Sequence, residues 1–555
     1  AGDLNNLASV RRRLGDYQIA EKLFRKSLSV MIKSLGEESS QSVSVMNNLA
    51  LLLENQGLYD EAEPLFKKAH TISERIQGEL HPTTLALLNN LAFLYESQGD
   101  FERSELNYRK VIQLNTEVFG EAHSNTLSNQ NNLAYLFLRA ERFTEAKPIF
   151  TNVHNLWKKN LGENHQNTLK ALNNLGRVHK SLGDLDEAEK LLSAALDGRK
   201  KVFGKRHADT LRSMNDFGEL LVKQDKKEDA LKIFKETLKL EEEVLGENHP
   251  YTFETLNNLS RLLEDLGKTE DAYEMYKIGF NRRNTFFDRV LWVAGDNTRQ
   301  SYIKLHKPEQ DAYIRILLSL DDERTAQDLL DLILQRKGML LKITSETQQV
   351  VMLSGSSELQ EITQKLTEVR KKLASLTLAG PNDENRDQFG KMVYDLEEQV
   401  NNYQLELGKQ SVRFRQSTQK IQIDDVLAGL DESALVDFLT YRKTDGSLGL
   451  LAVIANQEGL NVIQYEDLEM IQAIIMELRE IIQDEGAEDE DVKSVAYDLW
   501  EILWSPLNEY IGETESIFIS PDSVLNVLPF DALTDEDDSY LLENYDLKII
   551  SSARD

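Results

Sequence analysis

Apolar positions along the first half of the chain fall three and four residues apart, in blocks that repeat. In "TLALLNNLAFLYESQG" (84–99), Leu87, Leu91, Leu94 and Tyr95 share one face of a helix. The following "GDF" turns the chain, and "ERSELNYRKVIQLNTEVFG" supplies a second amphipathic helix. The block returns every 42 residues: its closing glycine recurs at Gly36, Gly78, Gly120, Gly162, Gly204 and Gly246. The "NNL" of the first helix starts at Asn5, Asn47, Asn89, Asn131, Asn173 and Asn257, with the variant "NDF" at Asn215. One half-lost unit and six full ones are expected, and because a single helix hairpin has too little apolar surface to stand alone, the units should stack into a solenoid.

Past residue 288 the period is lost, although "ERTAQDLLDLILQRKGMLL", "SSELQEITQKLTEVRKKLASLTL" and "QFGKMVYDLEEQVNNYQLELGKQ" keep helical spacing around a loop at "AGPNDEN". From Ile421 the pattern turns to strands, "ALVDFLTYR", "LGLLAVIANQ" and "LNVIQY", then two amphipathic helices, then "SIFISPDSVLNVLPFDAL". The expected organisation is mostly α: a solenoid at 1–288, a helical connecting region at 289–420, and an α/β sheet covered by helices at 421–555.

The chain has 555 residues, 41% of them hydrophobic, and runs such as "LGLLAVIA" fall short of a membrane helix. No membrane association is expected. The absence of cysteine excludes disulfides, thiolate metal sites and a thiol nucleophile within this chain, and agrees with a cytoplasmic location. Ala1 falls inside a repeat, so the native N-terminus is expected upstream. Of the formal charge of -30, residues 421–555 hold 32 acids against 6 bases, whereas the rest is close to neutral. That surface repels phosphate backbones and attracts basic peptides, or serves solubility alone; tight direct nucleic-acid binding is not expected. Arg199, Lys200, Lys201, Lys205 and Arg206, with Lys223, Lys226 and Lys227, form basic patches without interleaved aromatics, so a solvated helix face is the preferred reading over an acidic partner or RNA. GxSxG, P-loop, GxGxxG and HExxH motifs are absent, and 94 carboxylates make any acid/base pair uninformative. No cofactor is expected.

Two periodic polar rows remain. Asn47, Asn89, Asn131, Asn173 and Asn257 are the candidate partner-binding residues, since a primary amide can both donate to and accept from an extended peptide backbone. The alternative is that these amides tie adjacent helices together. His81, His123, His165, His207 and His249 recur at the same period in "HPTT"-like loops, too far apart for one metal, and are read as helix-entry residues.

The repeats resemble tetratricopeptide repeats over residues 1 to about 284, by the small residue after "NNL" (Ala50, Ala92, Ala134, Gly176), the turn glycines Gly57, Gly99, Gly183 and Gly267, the aromatic or leucine two residues on (Tyr59, Phe101, Leu185), and "EA" at 61–62, 145–146 and 187–188. Their length matches the version found in kinesin light chains and many bacterial signalling proteins. "LWSPLNEYIGETESIFISPDSVLNVLPFDALTDEDDSYLLENYDLKIISS", with "LILQRKGMLL" upstream, is similar to the first part of a CHAT domain, a caspase-like peptidase module. In that resemblance "PDSVLNVLPF" is a strand-edge turn and hairpin of the scaffold. The catalytic His and Cys follow it, so none lies in this chain and the dyad is expected beyond residue 555. A thiolate attacks, an imidazole manages the protons, and backbone N–H groups hold the oxyanion. Taken whole, the chain resembles the CRISPR-associated TPR-CHAT proteins. That likeness implies a bacterial, cytoplasmic cysteine peptidase docked through its repeats on a large single-chain type III-E RNA-guided effector and cutting a protein substrate. A non-catalytic adaptor with a CHAT-like remnant, and a CHAT peptidase of another bacterial pathway, are the alternatives.

Overall fold

The computed structural model describes residues 1–13, 17–290, 296–320, 322–337, 357–379, short stretches between 392 and 407, 422–483, 488–512 and 514–553. The loop expected at "AGPNDEN", and the part of "LILQRKGMLL" after Lys337, lie outside the described residues. The chain divides into two compact units, one holding 1–304 and 351–413, the other 305–350 and 414–555.

The first unit is a helical solenoid. Seven hairpins follow one another among the described residues: α1 (Gly2–Arg13) with α2 (Tyr17–Leu35), α3 (Ser40–Asn55) with α4 (Tyr59–Gln77), α5 (Pro82–Gln98) with α6 (Phe101–Phe119), α7 (Ser124–Arg139) with α8 (Phe143–Leu161), α9 (Gln166–Ser181) with α10 (Leu185–Phe203), α11 (Ala208–Lys223) with α12 (Lys227–Val244), and α13 (Pro250–Asp265) with α14 (Thr269–Val290). Each packs on the next, and its apolar face is buried only by that stacking. The small residue after each "NNL" is where the two helices of a hairpin cross: Ala50, Ala92 and Ala134 have no exposed surface, and a Cβ on Gly218 would stand 2.5 Å from the Phe234 ring. Second helices end on a glycine with positive φ, as Gly78 does at 94°, a conformation that costs a Cβ-bearing residue.

The periodic histidines are helix N-caps. Nδ1 of His81, His123, His165, His207 and His249 accepts the backbone N–H two residues on, at 3.2 Å each time. Each cap thereby satisfies one of the backbone donors that a helix start leaves open. Also in the first unit, the helix Ser357–Ala379 meets residues of the 392–407 stretch through Leu359, Leu366, Val369, Val400 and Leu407, and Glu398 pairs with Lys67 of α4 at 3.5 Å.

The second unit holds part of α15 (Asp296–Leu320), then α16 (Glu323–Arg336), a short helix Ile423–Leu430, and a five-stranded sheet in the order β3-β2-β1-β4-β5. β1 (Ala434–Arg442), β2 (Leu448–Asn456) and β3 (Gly459–Tyr465) form an antiparallel meander; β4 (Ser516–Ser520) lies parallel to β1, and β5 (Asp546–Ile549) parallel to β4. The run "LGLLAVIAN" is apolar without alternation because both faces of β2 are covered. The helices Leu468–Gln483, Asp489–Leu499 and Ser505–Ile511 bury one face through Ile475, Leu499, Trp504 and Leu507. α16, which the sequence pattern alone assigns to the connecting region, packs against β2 and β3. A single π turn, Trp500–Trp504, joins two of these helices and turns both tryptophans inward. Where a hairpin is expected at "PDSVLNVLPF", the chain makes two 3-10 turns, Ser523–Val527 and Phe530–Ala532, followed by one antiparallel bridge, Thr534 to Tyr540. Pro529 offers no N–H for a ladder, and Asp522 caps the first turn through Ser523 N–H. Among the described residues no helix is long and apolar enough to cross a membrane.

Candidate functional site

Two places on the chain gather polar side chains: the faces of the first helices in the solenoid, and the carboxyl ends of the parallel strands.

In the solenoid the paired asparagines form a ladder between hairpins. The second amide of each pair donates to the first amide of the preceding pair: Asn48 to Asn5 at 3.0 Å, Asn90 to Asn47 at 2.8 Å, Asn132 to Asn89 at 3.1 Å, Asn174 to Asn131 at 3.4 Å, and Asn258 to Asn215 at 3.2 Å. One rung is reversed. Asp216 occupies the donor position and cannot donate, so Asn173 donates to its Oδ2 at 2.6 Å, and Ser213 fills the Asn173 carbonyl at 2.7 Å. Four of the five candidate partner-binding residues, Asn47, Asn89, Asn131 and Asn173, are thus rungs, and Asn257 holds the equivalent place in the last hairpin. Asn47, Asn89 and Asn257 keep part of their surface open, whereas Asn131 and Asn173 expose 1% each. The amide hydrogens of Asn131 meet no acceptor among the described residues.

Sequence reasoning missed the cluster beside this ladder. Four positions after the ladder asparagine come Tyr135 and Arg177, and three before it comes Arg212. Arg212 on α11 donates to Tyr135 on α7 at 2.8 Å, reaching past α9, and to Tyr251 on α13 at 3.3 Å. Arg177 pairs with Asp216 at 3.2 Å and lies 5.4 Å from the centre of the Tyr135 ring. Burial works against the ionised Tyr135 phenol, but Arg212 and Arg177 outweigh it and pull its pKa below the ordinary value. Burial depresses the Lys170 ammonium, with Arg212 adding to the effect. The basic patch reads differently in space: Arg199 is buried and donates to the Asp209 carbonyl and the Ser213 hydroxyl at 2.7 Å each, Lys205 pairs with Glu236, and Arg206 with Glu243 at 2.9 Å. Arg199, Lys205 and Arg206 are thus tied into the solenoid, while Lys200 and Lys201 stay exposed.

At the sheet, the two stretches that carry the caspase-like resemblance meet, 183 residues apart in sequence. The β1–β4 ladder ends at the pair Asp437 and Ser520, while β1 runs on against β2 to Arg442. Beyond that point side chains replace β4 as the partner of β1. The Asp522 carboxylate takes the Thr440 N–H at 2.6 Å and its hydroxyl at 2.7 Å. The Lys337 ammonium donates to the Phe438 carbonyl at 2.7 Å, the Ser520 carbonyl at 2.9 Å and the Asp437 carboxylate at 2.5 Å, which uses all three of its hydrogens. The other Asp437 oxygen accepts from Ala553 N–H at 3.1 Å, just past β5. Asp437 has no exposed surface, and burial raises its carboxyl pKa against the opposing pull of Lys337. No thiol or imidazole stands here: the chain has no cysteine, and its last histidine, His306, lies on α15 beside Glu309.

Comparison with known proteins follows the same division. A tetratricopeptide-repeat family model matches residues 3–54, 41–117, 125–201, 174–243 and 228–277, and a CHAT domain model matches 493–555. A search of curated proteins returned no match. Among solved structures, a putative kinesin light chain from Podospora anserina with nearly identical TPR-like repeats is 23% identical, covering 36% of this chain and 94% of its own, with a TM-score of 0.32. BtubC from P. vanneervenii is 18% identical over 42% and 92%, TM-score 0.34, and a Rap protein complexed with competence and sporulation factor is 10% identical over 72% and 99%, TM-score 0.41. The chain is therefore a run of tetratricopeptide repeats, a protein-interaction module, joined to a segment with the likeness of a caspase-like CHAT domain.

Proposed function

We propose that the chain is the docking and scaffold part of a regulated caspase-like cysteine endopeptidase, acting as a subunit of a CRISPR RNA-guided effector complex in the bacterial cytoplasm. The repeats grip a large single-chain effector, and pairing of target RNA with the guide makes the peptidase competent to cut a protein substrate. The observation that supports this reading is the succession of tetratricopeptide repeats and CHAT likeness on one chain. The reading assigns the His and Cys to residues following Asp555; what lies before them is scaffold. Because 421–555 is strongly acidic, the RNA signal reaches the peptidase through the partner, and only by the difference in RNA binding energy between active and inactive states of the complex.

The test is proteolysis by a chain lengthened to include the dyad, with and without effector and guide-matched RNA. Cleavage should require all three, and residues 1–555 alone should be inert. Peptide cleavage by residues 1–555, or RNA-triggered cleavage without a partner, would overturn the reading. A non-catalytic adaptor is the second reading, favoured by a chain without cysteine; a lengthened chain with no His–Cys pair in that order would select it.

A further inference from the structure

The ion pair of Lys337 and Asp437 stands where three chain segments converge: the end of α16, the split between β1 and β4, and the residues leaving β5. Apolar side chains of similar volume would hold the same space at less cost, since a buried ion pair loses more hydration than it regains unless every hydrogen bond is made. Here every one is made on the ammonium, and two of its three partners are backbone carbonyls. That arrangement fixes the main chain rather than filling a hole. Its location carries the second half of the argument. β1, β4 and β5 are mutually parallel, and in open α/β sheets ligand and catalytic groups gather outside the carboxyl ends of such strands. Lys337 ties the last turn of α16 to this edge: its N–H closes the helix on the Ile333 carbonyl at 2.9 Å while its side chain reaches the sheet.

We propose that Lys337 is a positioning residue that couples the last turn of α16 to the chain leaving β5, by way of Asp437 and Ala553, so that α16 sets where that segment stands at the carboxyl edge of the sheet. With α16 in place, Asp437 is held by the ammonium and offers its second oxygen to Ala553. With α16 withdrawn, Asp437 becomes an unpaired buried carboxylate and the Ala553 anchor is released. The consequence for proteolysis rests on the function proposed above; the coupling itself does not.

Hydrogen–deuterium exchange of residues 1–555 tests the coupling. In Lys337→Met, amides of 549–553 should exchange at least tenfold faster than in the parent chain, while those of the β2–β3 hairpin keep their protection. Lys337→Arg, which can still donate to Asp437, should restore most of it. Unchanged exchange at 549–553 in Lys337→Met would overturn the proposal, as would an equal rise across the whole sheet, which would mark a general stabilising role. Should Lys337→Met fail to fold, exchange of the parent chain in graded denaturant decides. The last turn of α16 and residues 549–553 should open with the same denaturant dependence, and independent opening would reject the coupling. None of these readouts requires peptidase activity, so they fail or succeed separately from it.

Discussion

Glu241 on α12 has no exposed surface, and the Thr255 hydroxyl beside it only partly offsets the cost of burying its carboxylate. Burial, with Glu254 nearby, pushes its pKa up to about 8. The folded chain therefore keeps a proton that the unfolded chain releases near 4.5, and the stability this group contributes is full below about pH 4.5 and lost as pH rises through 8. Glu54, raised to about 7 by burial, acts in the same direction. His70, His154 and His249, whose pKa values burial lowers, act in the opposite direction below the ordinary histidine value of about 6.5. Glu241→Gln should thus melt above the parent at pH 9, with the difference closing toward pH 5; equal melting temperatures at pH 9 would show that the carboxyl finds solvent or a partner. Nothing in a sequence with 94 carboxylates marks this one. Glu141 offers a second test at this scale. It holds the turn position that is glycine in five other hairpins, at φ 59°. Glu141→Gly should stabilise the solenoid by about 1 kcal/mol, the left-handed penalty less the entropy glycine loses on folding, measured by denaturant titration.

Between elements, the amide ladder makes the sharpest prediction. Replacing Asn89 and Asn131 by Ala removes one inter-hairpin hydrogen bond each, about 1 kcal/mol apiece. A lowered melting temperature with partner affinity unchanged would assign the ladder to stacking alone; loss of both beyond what stability explains would show that the open amide hydrogens also meet the partner. The helices themselves were legible, because a 42-residue period fixes caps, turns and buried faces together. So were β1 to β4, from their β-branched and apolar stretches, whereas the four-residue β5, "DLKI", was not. What the pattern could not give was pairing. The rungs join residues 43 apart, one more than the repeat, so periodicity brings the asparagines to attention without saying which touches which. The same limit hid Lys337, a single basic residue at a helix end whose partners lie 100 to 183 residues away, and it hid Arg212, whose two tyrosines sit on different helices. The hairpin at "PDSVLNVLPF" came from the CHAT resemblance and not from its residues; Pro529 and the Asp522 cap make it two 3-10 turns.

For the whole molecule, charge decides what the chain can touch. With 32 of the 94 acids in residues 421–555, and Lys205 and Arg206 paired with Glu236 and Glu243, the isolated chain should not bind RNA with submicromolar affinity at about 150 mM salt. Filter binding with guide-length RNA checks this, and tight binding would place the RNA sensor in this chain.

The reversed rung sets a rule for how such an array can lengthen or shorten. The fifth hairpin, with Asn173 and Asn174, donates to both neighbours, and the sixth, with Asn215 and Asp216, accepts from both. Excision of the sixth hairpin as one 42-residue cassette would set Asn258 against the Asn173 carbonyl, an ordinary rung. Duplicating it in tandem would instead set the Asp216 of the second copy against the Asn215 of the first, a second reversed rung in which that amide donates to the carboxylate and the second copy's Ser213 takes its carbonyl, as Thr255 takes it now. The ladder can therefore be remade after loss or gain of the sixth hairpin, but each added copy buries one more carboxylate like Asp216, whereas a copy of an ordinary hairpin buries only amides.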